Sequence, residues 1–165
     1  MRYFLSCLLS LLCCLSACGV YSFTGASVNG KTINVHLLEN RAVNVVPTLS
    51  PALTEKIRSR IVSQTGLAAS NSPAADYDIS GAITGYTVSV SGVQNTQQAS
   101  LNRLTIAVDI TFTNRLDEKA SFHQSFNRFA DFPATQTLQA VEASLIDEIG
   151  TQLADDIFTK AFVNW

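Results

Sequence analysis

Hydrophobic and polar positions change period along this chain, and each change marks an element. Across residues 32–38, Ile33, Val35 and Leu37 alternate with Thr32, Asn34 and His36, the period-2 pattern of a half-buried strand. The polar run ENRAVN then reads as a connection. TLSPALTEKIRSRIVSQTG reads as a helix, with Thr48 or Ser50 as cap and Pro51 in the first turn. Leu49 precedes Leu53, Ile57 and Ile61, which form its apolar stripe, and Gly66 is its stop. Lys56 and Arg60 fall on one face predicted to be exposed. AASNSPAAD is then a loop.

A second strand covers residues 77–90. Tyr77, Ile79 and Ile83 share one parity, and the parity moves at Tyr86, Val88 and Val90. That shift, with Gly81 and Gly85, predicts a bulge or a close backbone approach. The polar segment 91–100 is a long hairpin loop. Residues 104–113 alternate most clearly, with Leu104, Ile106, Val108, Ile110 and Phe112 on one face. NRLDEK turns the chain into a strand over 120–132. There the step from Phe126 to Phe129 breaks alternation and predicts an irregularity near Asn127, and Pro133 ends the strand. Residues 135–163 form a long helix with the stripe Leu138, Val141, Leu145, Ile149, Leu153, Ile157 and Ala161, widened by Ile146, Phe158 and Trp165. Gly150 in its middle marks a bend or a close packing contact.

The order β-α-β-β-β-α predicts an α+β, two-layer α/β sandwich. Two helices cover one face of a four-stranded mixed sheet. The last three strands form an antiparallel meander, and the first pairs in parallel with one of them. The second face is rich in Thr, Ser and Asn, as suits water or a polar partner.

The N-terminus follows a different rule. Arg2 precedes a mostly apolar, uncharged stretch over residues 3–15, the pattern of an export signal and too short for a span of about 20 residues. It ends in Leu15-Ser16-Ala17-Cys18, which looks like a bacterial lipobox. The Cys18 thiol accepts a diacylglyceryl group, and small side chains before it admit the peptidase to the Ala17–Cys18 bond. All four cysteines, Cys7, Cys13, Cys14 and Cys18, lie here, so none can staple a domain beyond residue 18. The expected layout is a signal peptide 1–17, a lipidated tether 18–30 and one periplasmic domain 31–165. Gly19, not Asp, follows the lipidated cysteine and points to the outer membrane.

Removing residues 1–17 leaves 148, enough for one core without disulfides. Arg2 is the only charge lost, so 10 basic residues face 13 acidic ones and the net charge is −3. That leaves no footprint for nucleic acid. His36 and His123 lack ligand-spaced partners, and neither a nucleophile elbow nor a phosphate loop is present. No catalytic group, metal or cofactor is expected beyond the acyl lipid on Cys18. Asp147, Glu148, Asp155 and Asp156 solvate the outer helix face. Arg103, Arg115, Lys119 and Arg128 cluster around the meander. They either discourage edge-to-edge aggregation or meet phosphates.

The succession of a lipobox cysteine, GVYSFTG, a strand, a helix opened by LSPAL, the strand YDISGAI, the aromatic strand FNRFADF and a long last helix resembles the LptE family of lipopolysaccharide-assembly lipoproteins. The form it resembles is that found in the Bacteroidetes, over essentially all of the chain after Cys18. The resemblance implies a non-enzymatic lipoprotein of the cell outer membrane, with its body facing the periplasm or inside a barrel lumen. Such a protein helps assemble and plugs the large LptD-type β-barrel of the lipopolysaccharide translocon, and can bind lipopolysaccharide. The family's basic contact residues find no motif match here, so Arg103 and Arg128 stand as candidates for lipopolysaccharide contact. The residues leave one alternative open: another periplasmic lipoprotein adaptor, a peptidoglycan-synthase activator or a secretion accessory protein.

Overall fold

A computed structural model describes residues 28–93 and 99–163. The lipobox, Cys18, most of the tether and Trp165 lie outside the described residues, as do residues 94–98 of the 91–100 segment.

The elements are β1 (Thr32–Val35), β2 (Glu39–Asn40), α1 (Leu49–Thr65), β3 (Ala68–Ala69), β4 (Tyr77–Val93), β5 (Ala99–Asn114), β6 (Phe122–Pro133) and α2 (Leu138–Phe162). A short 3-10 turn, Glu118–Ala120, joins β5 to β6. β4, β5 and β6 form the antiparallel meander, and β1 pairs with β4 in parallel. The expectation of four strands is corrected: among the described residues the mixed sheet has six, in the order β3-β1-β4-β5-β6, with β2 also on β4. The two additions are two residues long. Each forms where a connection runs beside an open strand edge, β2 along Ala82 and Ile83 and β3 along Thr32 and Ile33. Such pairings come from tertiary placement and leave no periodicity.

β1 also ends earlier than its alternation implies. After Val35 the chain leaves the ladder, so Leu37 turns out to solvent and Leu38 turns in. The Leu38 N–H donates to Thr54 Oγ1 at 3.0 Å, which fixes the turn against α1. Asn34, read as a polar-face residue, is buried, with its amide bonded to Asp78.

β4 keeps its apolar parity through Ile83, slips register between Ile83 and Gly85, and returns Tyr86 to the same face. The expected bulge is therefore present. The expected irregularity in β6 is not. Its register with β5 runs unbroken from Phe122 to Pro133, and Phe129 simply points to the face away from the helices, where it is 46% exposed.

Both helices lie over the face made by Ile79, Ile83, Leu104, Ile106, Val108, Ile110 and Phe112, which are buried with Leu53, Ile57 and Ile61 of α1 and Ile149, Leu153 and Ile157 of α2. Gly150 lets the helices approach: a Cβ there would lie 3.0 Å from Leu53 Cδ2. Gly66 closes α1 with φ of 70°, the left-handed conformation that glycine adopts without steric cost. Lys56 and Arg60 are half-buried, not fully exposed. They reach across to Asp147 at 2.5 Å and Asp155 at 2.7 Å on α2, because the two helices lie side by side. At one end of the sheet Tyr77, Phe112 and Phe162 pack ring against ring, with centroids 5.4–5.9 Å apart. The chain enters at this end, where the Gly30 N–H donates to the Tyr77 hydroxyl.

Candidate functional site

Among the described residues, the helices cover one sheet face and leave the other open. Alternation along β4, β5 and β6 places Asp78, Ser80, Thr111, Asp109, Ser125 and His123 on the open face. A concavity of about 560 Å³ lies there, between His36 and Glu39 on one side and His123 on the other, with Ser80, Ala82 and Thr111 in its floor. Most of its polar groups are already partnered. His36 Nε2 lies 2.9 Å from Asp78 Oδ1 and 3.0 Å from Asn34 Nδ2. His123 Nδ1 meets Thr111 Oγ1 at 2.9 Å, and the Ser125 hydroxyl donates to Asp109. The two histidines stand on opposite sides of the concavity and do not share a partner. Among the described residues, no three His, Cys, Asp or Glu side chains converge as a metal site would need.

Arg103 also lies on this face, farther along the β5–β6 ladder. Its guanidinium bonds both oxygens of Asp131, at 2.8 and 2.9 Å, and lies 3.6 Å from the centre of the Phe129 ring. A fork-to-fork pair of this kind fixes the planar group over the aromatic face. Hydrogen bonding from Arg103 holds the Asp131 carboxyl below its ordinary range, and the same bond raises Arg103. Arg128 takes a different position. It lies on the helix side of β6 and grips Asp156 of α2 through two bonds of 2.5 and 2.6 Å, so Asp156 ties helix to sheet as well as meeting solvent. The structure thus does not bring Arg103 and Arg128 together. They occupy opposite faces, each with its own carboxylate.

The β4–β5 ribbon carries a feature that the sequence reading passed over. Its strands reach Val93 and start again at Ala99, and along it Val88 and Val90 are about half exposed or more. The connection beside it exposes Val43 fully and Val45 by 63%. Asn44, between those two valines, donates its amide to the Tyr86 carbonyl at 3.3 Å. Tyr86 in turn donates to Glu142 Oε1 of α2 at 2.6 Å. Burial, and then this bond, push the phenol above its ordinary value. The available signal was an absence: residues 79–102 contain no charged side chain.

Among the described residues, no helix is long and apolar enough to cross a membrane. The LptE family model, described as lipopolysaccharide-assembly, matches residues 30–161. No curated protein matches the chain by sequence. Several solved structures share the fold. A minor lipoprotein from Acinetobacter baumannii is 16% identical with a TM-score of 0.52, over 81% of this chain and 93% of its own. Rare lipoprotein B from Shewanella oneidensis is 15% identical with a TM-score of 0.52, over 78% and 92%. A hypothetical protein from Chlamydia trachomatis is 9% identical with a TM-score of 0.55, over 82% and 99%.

Proposed function

This chain belongs to the LptE lipopolysaccharide-assembly family, and from that premise we propose that it is the assembly and plug subunit of an outer-membrane lipopolysaccharide translocon, seated in an LptD-type β-barrel. The observation that carries the reading is the family match across residues 30–161, nearly the whole folded body. The fold suits the role physically. Its helices cover one sheet face, and the other presents hydroxyl and imidazole groups together with carboxylates that already hold hydrogen-bond or ion-pair partners, which limits the desolvation cost of meeting a polar wall. In this reading residues 1–17 are removed, Cys18 becomes the acylated first residue, and residues 18–30 tether the body to the outer membrane. Two or three acyl chains hold it there, since each buried CH₂ contributes about 0.8 kcal/mol. The protein acts by binding, not by catalysis. Any contact with a lipopolysaccharide phosphate through Arg103 or Arg128 has to compete with Asp131 or Asp156.

The test is a detergent pull-down of the tagged, lipidated protein followed by mass spectrometry. A large outer-membrane barrel recovered in near-equal amount is the expected result. Recovery of a peptidoglycan synthase or a secretion channel instead would overturn the translocon reading. Separately, Cys18→Ala is expected to abolish labelling by a palmitate analogue and to release the body from the membrane fraction.

A further inference from the structure

Charge is segregated along the long axis of this domain. Three stretches of sequence, residues 42–54, 79–102 and 132–141, contain no Asp, Glu, Lys, Arg or His. They are far apart in the chain, and the fold gathers parts of all three at one end. The Asn44 amide reaches the Tyr86 carbonyl, the Tyr86 hydroxyl reaches the first turns of α2, and Val90, Asn102 and Phe132 lie abreast on β4, β5 and β6. The charged groups bordering this end are held in place: Arg103 is paired with Asp131, and the Glu142 carboxylate accepts a hydrogen bond from the Tyr86 hydroxyl. The opposite end holds Lys31, Asp76, Arg115, Asp117, Glu118, Lys119 and Lys160, and there the chain enters through Gly30 beside Tyr77.

The uncharged end also carries a group of outward-facing aliphatic side chains. Val43, Val45, Val88 and Val90 are 99%, 63%, 45% and 59% exposed. A β-ribbon with outward valines and no charge invites aggregation on a protein that stays free in water. It suits a surface that another protein covers, because enclosing a charge without a partner is strongly unfavourable and the buried centres of interfaces are accordingly depleted of charge.

We propose that this end, through Val43, Val45, Val88 and Val90, is the surface that enters the barrel and packs on a lumen wall of uncharged polar and small apolar side chains. This rests on the translocon reading above. The tether fits the placement. From Cys18 to Val28 the chain spans at most about 35 Å when extended, and it joins the body at the charged end. From Tyr77 to Val90 the strand runs about 40 Å at roughly 3.3 Å per residue. An anchored molecule whose charged base faces its membrane therefore presents the valine end away from the anchor. A lipid surface is a poor occupant, because the aromatic and basic groups beside the valines are not free to meet one: Tyr86 and Phe132 are buried, and Arg103 is paired with Asp131.

The test places a photo-crosslinking benzoylphenylalanine at Val90 in the full lipidated chain, in cells that make the barrel, with Leu116 at the charged end as the comparison site. Both positions are half exposed or more, so neither substitution threatens the core. The expected result is a covalent adduct with the barrel from position 90, at least tenfold stronger than from position 116. A barrel adduct from 116 alone, an adduct of two copies of this chain, or no adduct from 90 would overturn the proposal. As a second measure, the double substitution Val43→Glu, Val90→Glu is expected to lower barrel recovery at least tenfold with an unchanged circular dichroism spectrum. Unchanged recovery would overturn the proposal as well. The unsubstituted chain is purified in parallel. Failure to recover any barrel with it sinks the translocon reading itself, whereas recovery without the position-90 adduct sinks only the placement.

Discussion

Gly150 of α2 packs directly on Leu53 of α1, so closely that a Cβ at position 150 would stand 3.0 Å from the Leu53 Cδ2 atom. Two effects of similar size oppose each other there. Alanine in a helix interior is favoured over glycine by about 1 kcal/mol, while an added methyl pushes Leu53 by a few tenths of an ångström. Gly150→Ala is therefore expected to change stability by less than about 1 kcal/mol in either direction. Gly150→Val adds branched bulk with no such gain and is expected to cost about 1–3 kcal/mol. Urea unfolding of the Cys18→Ala chain reads both. A valine variant as stable as the parent would show that the helices separate freely at this point.

Gly81 makes a tighter approach in the sheet. A Cβ at this position would lie 2.1 Å from the Asp109 carbonyl oxygen, a backbone atom that cannot swing away. Gly81→Ala must move β4 from β5, and a loss of at least about 2 kcal/mol is expected. Amide hydrogen exchange should accelerate around Asp109 and Ile110. A thermal midpoint within a degree or two of the parent would mean that the ladder absorbs the methyl without opening.

These two glycines show what a linear pattern can and cannot reveal. The slip of parity after Ile83 was visible in the order of side chains, as was the stripe that α2 buries, because both follow from the period of the backbone. β2 and β3 were not visible: two residues have no period, and they pair only because their connections run along an open edge. Leu37 and Leu38 exchanged roles because the chain leaves the ladder at Val35, a choice made by the bond from Leu38 to Thr54. Phe129 looked like a core aromatic out of phase. It is an in-phase residue on the open face, and its partner is Arg103, which no local rule pairs with it. The valine end was legible only as missing charge, and its meaning depended on the fold bringing three neutral stretches together.

Asp76 ties the entry of the chain to the sheet, and this tie should depend on pH. Its carboxylate accepts the backbone N–H groups of Lys31 and Thr32 and the Thr32 hydroxyl, at 2.7, 3.0 and 3.1 Å. The backbone bond from Lys31, then those from Thr32, hold the group below its ordinary value of 3.8. A carboxyl whose folded value is depressed stabilises the fold above its unfolded value and loses that contribution as pH falls through the folded one. Asp76→Asn should therefore lower the urea midpoint at pH 7. The gap between variant and parent should close as pH is taken below 3.8. Asp131, lowered by Arg103, contributes in the same direction. A gap that persists undiminished at low pH would assign the effect to geometry instead of charge.

Arg103, Asp131 and Phe129 form a unit whose cost of removal should be small for folding. The Arg103 and Asp131 side chains are 35% and 30% accessible, so water screens the pair from both sides. Exposed ion pairs contribute roughly 0.2–1 kcal/mol in double-mutant cycles, and stacking on an exposed ring adds about 0.5–1 kcal/mol. Arg103→Ala should thus cost at most about 2 kcal/mol, and Arg103→Lys a good part of that. Lysine keeps the charge but loses both the fork that meets two carboxylate oxygens and the flat group that covers Phe129. The coupling energy of Arg103→Ala with Asp131→Ala, measured by urea unfolding, is expected near 0.5 kcal/mol. Phe129→Ala should lower the coupling further, because the ring holds the guanidinium in register with its carboxylate. A coupling above about 2 kcal/mol would exceed what an exposed pair supplies and would make this trio part of the structural core. A small value leaves the three residues free of any large role in folding, so that a loss of partner binding on their substitution can be read as a contact.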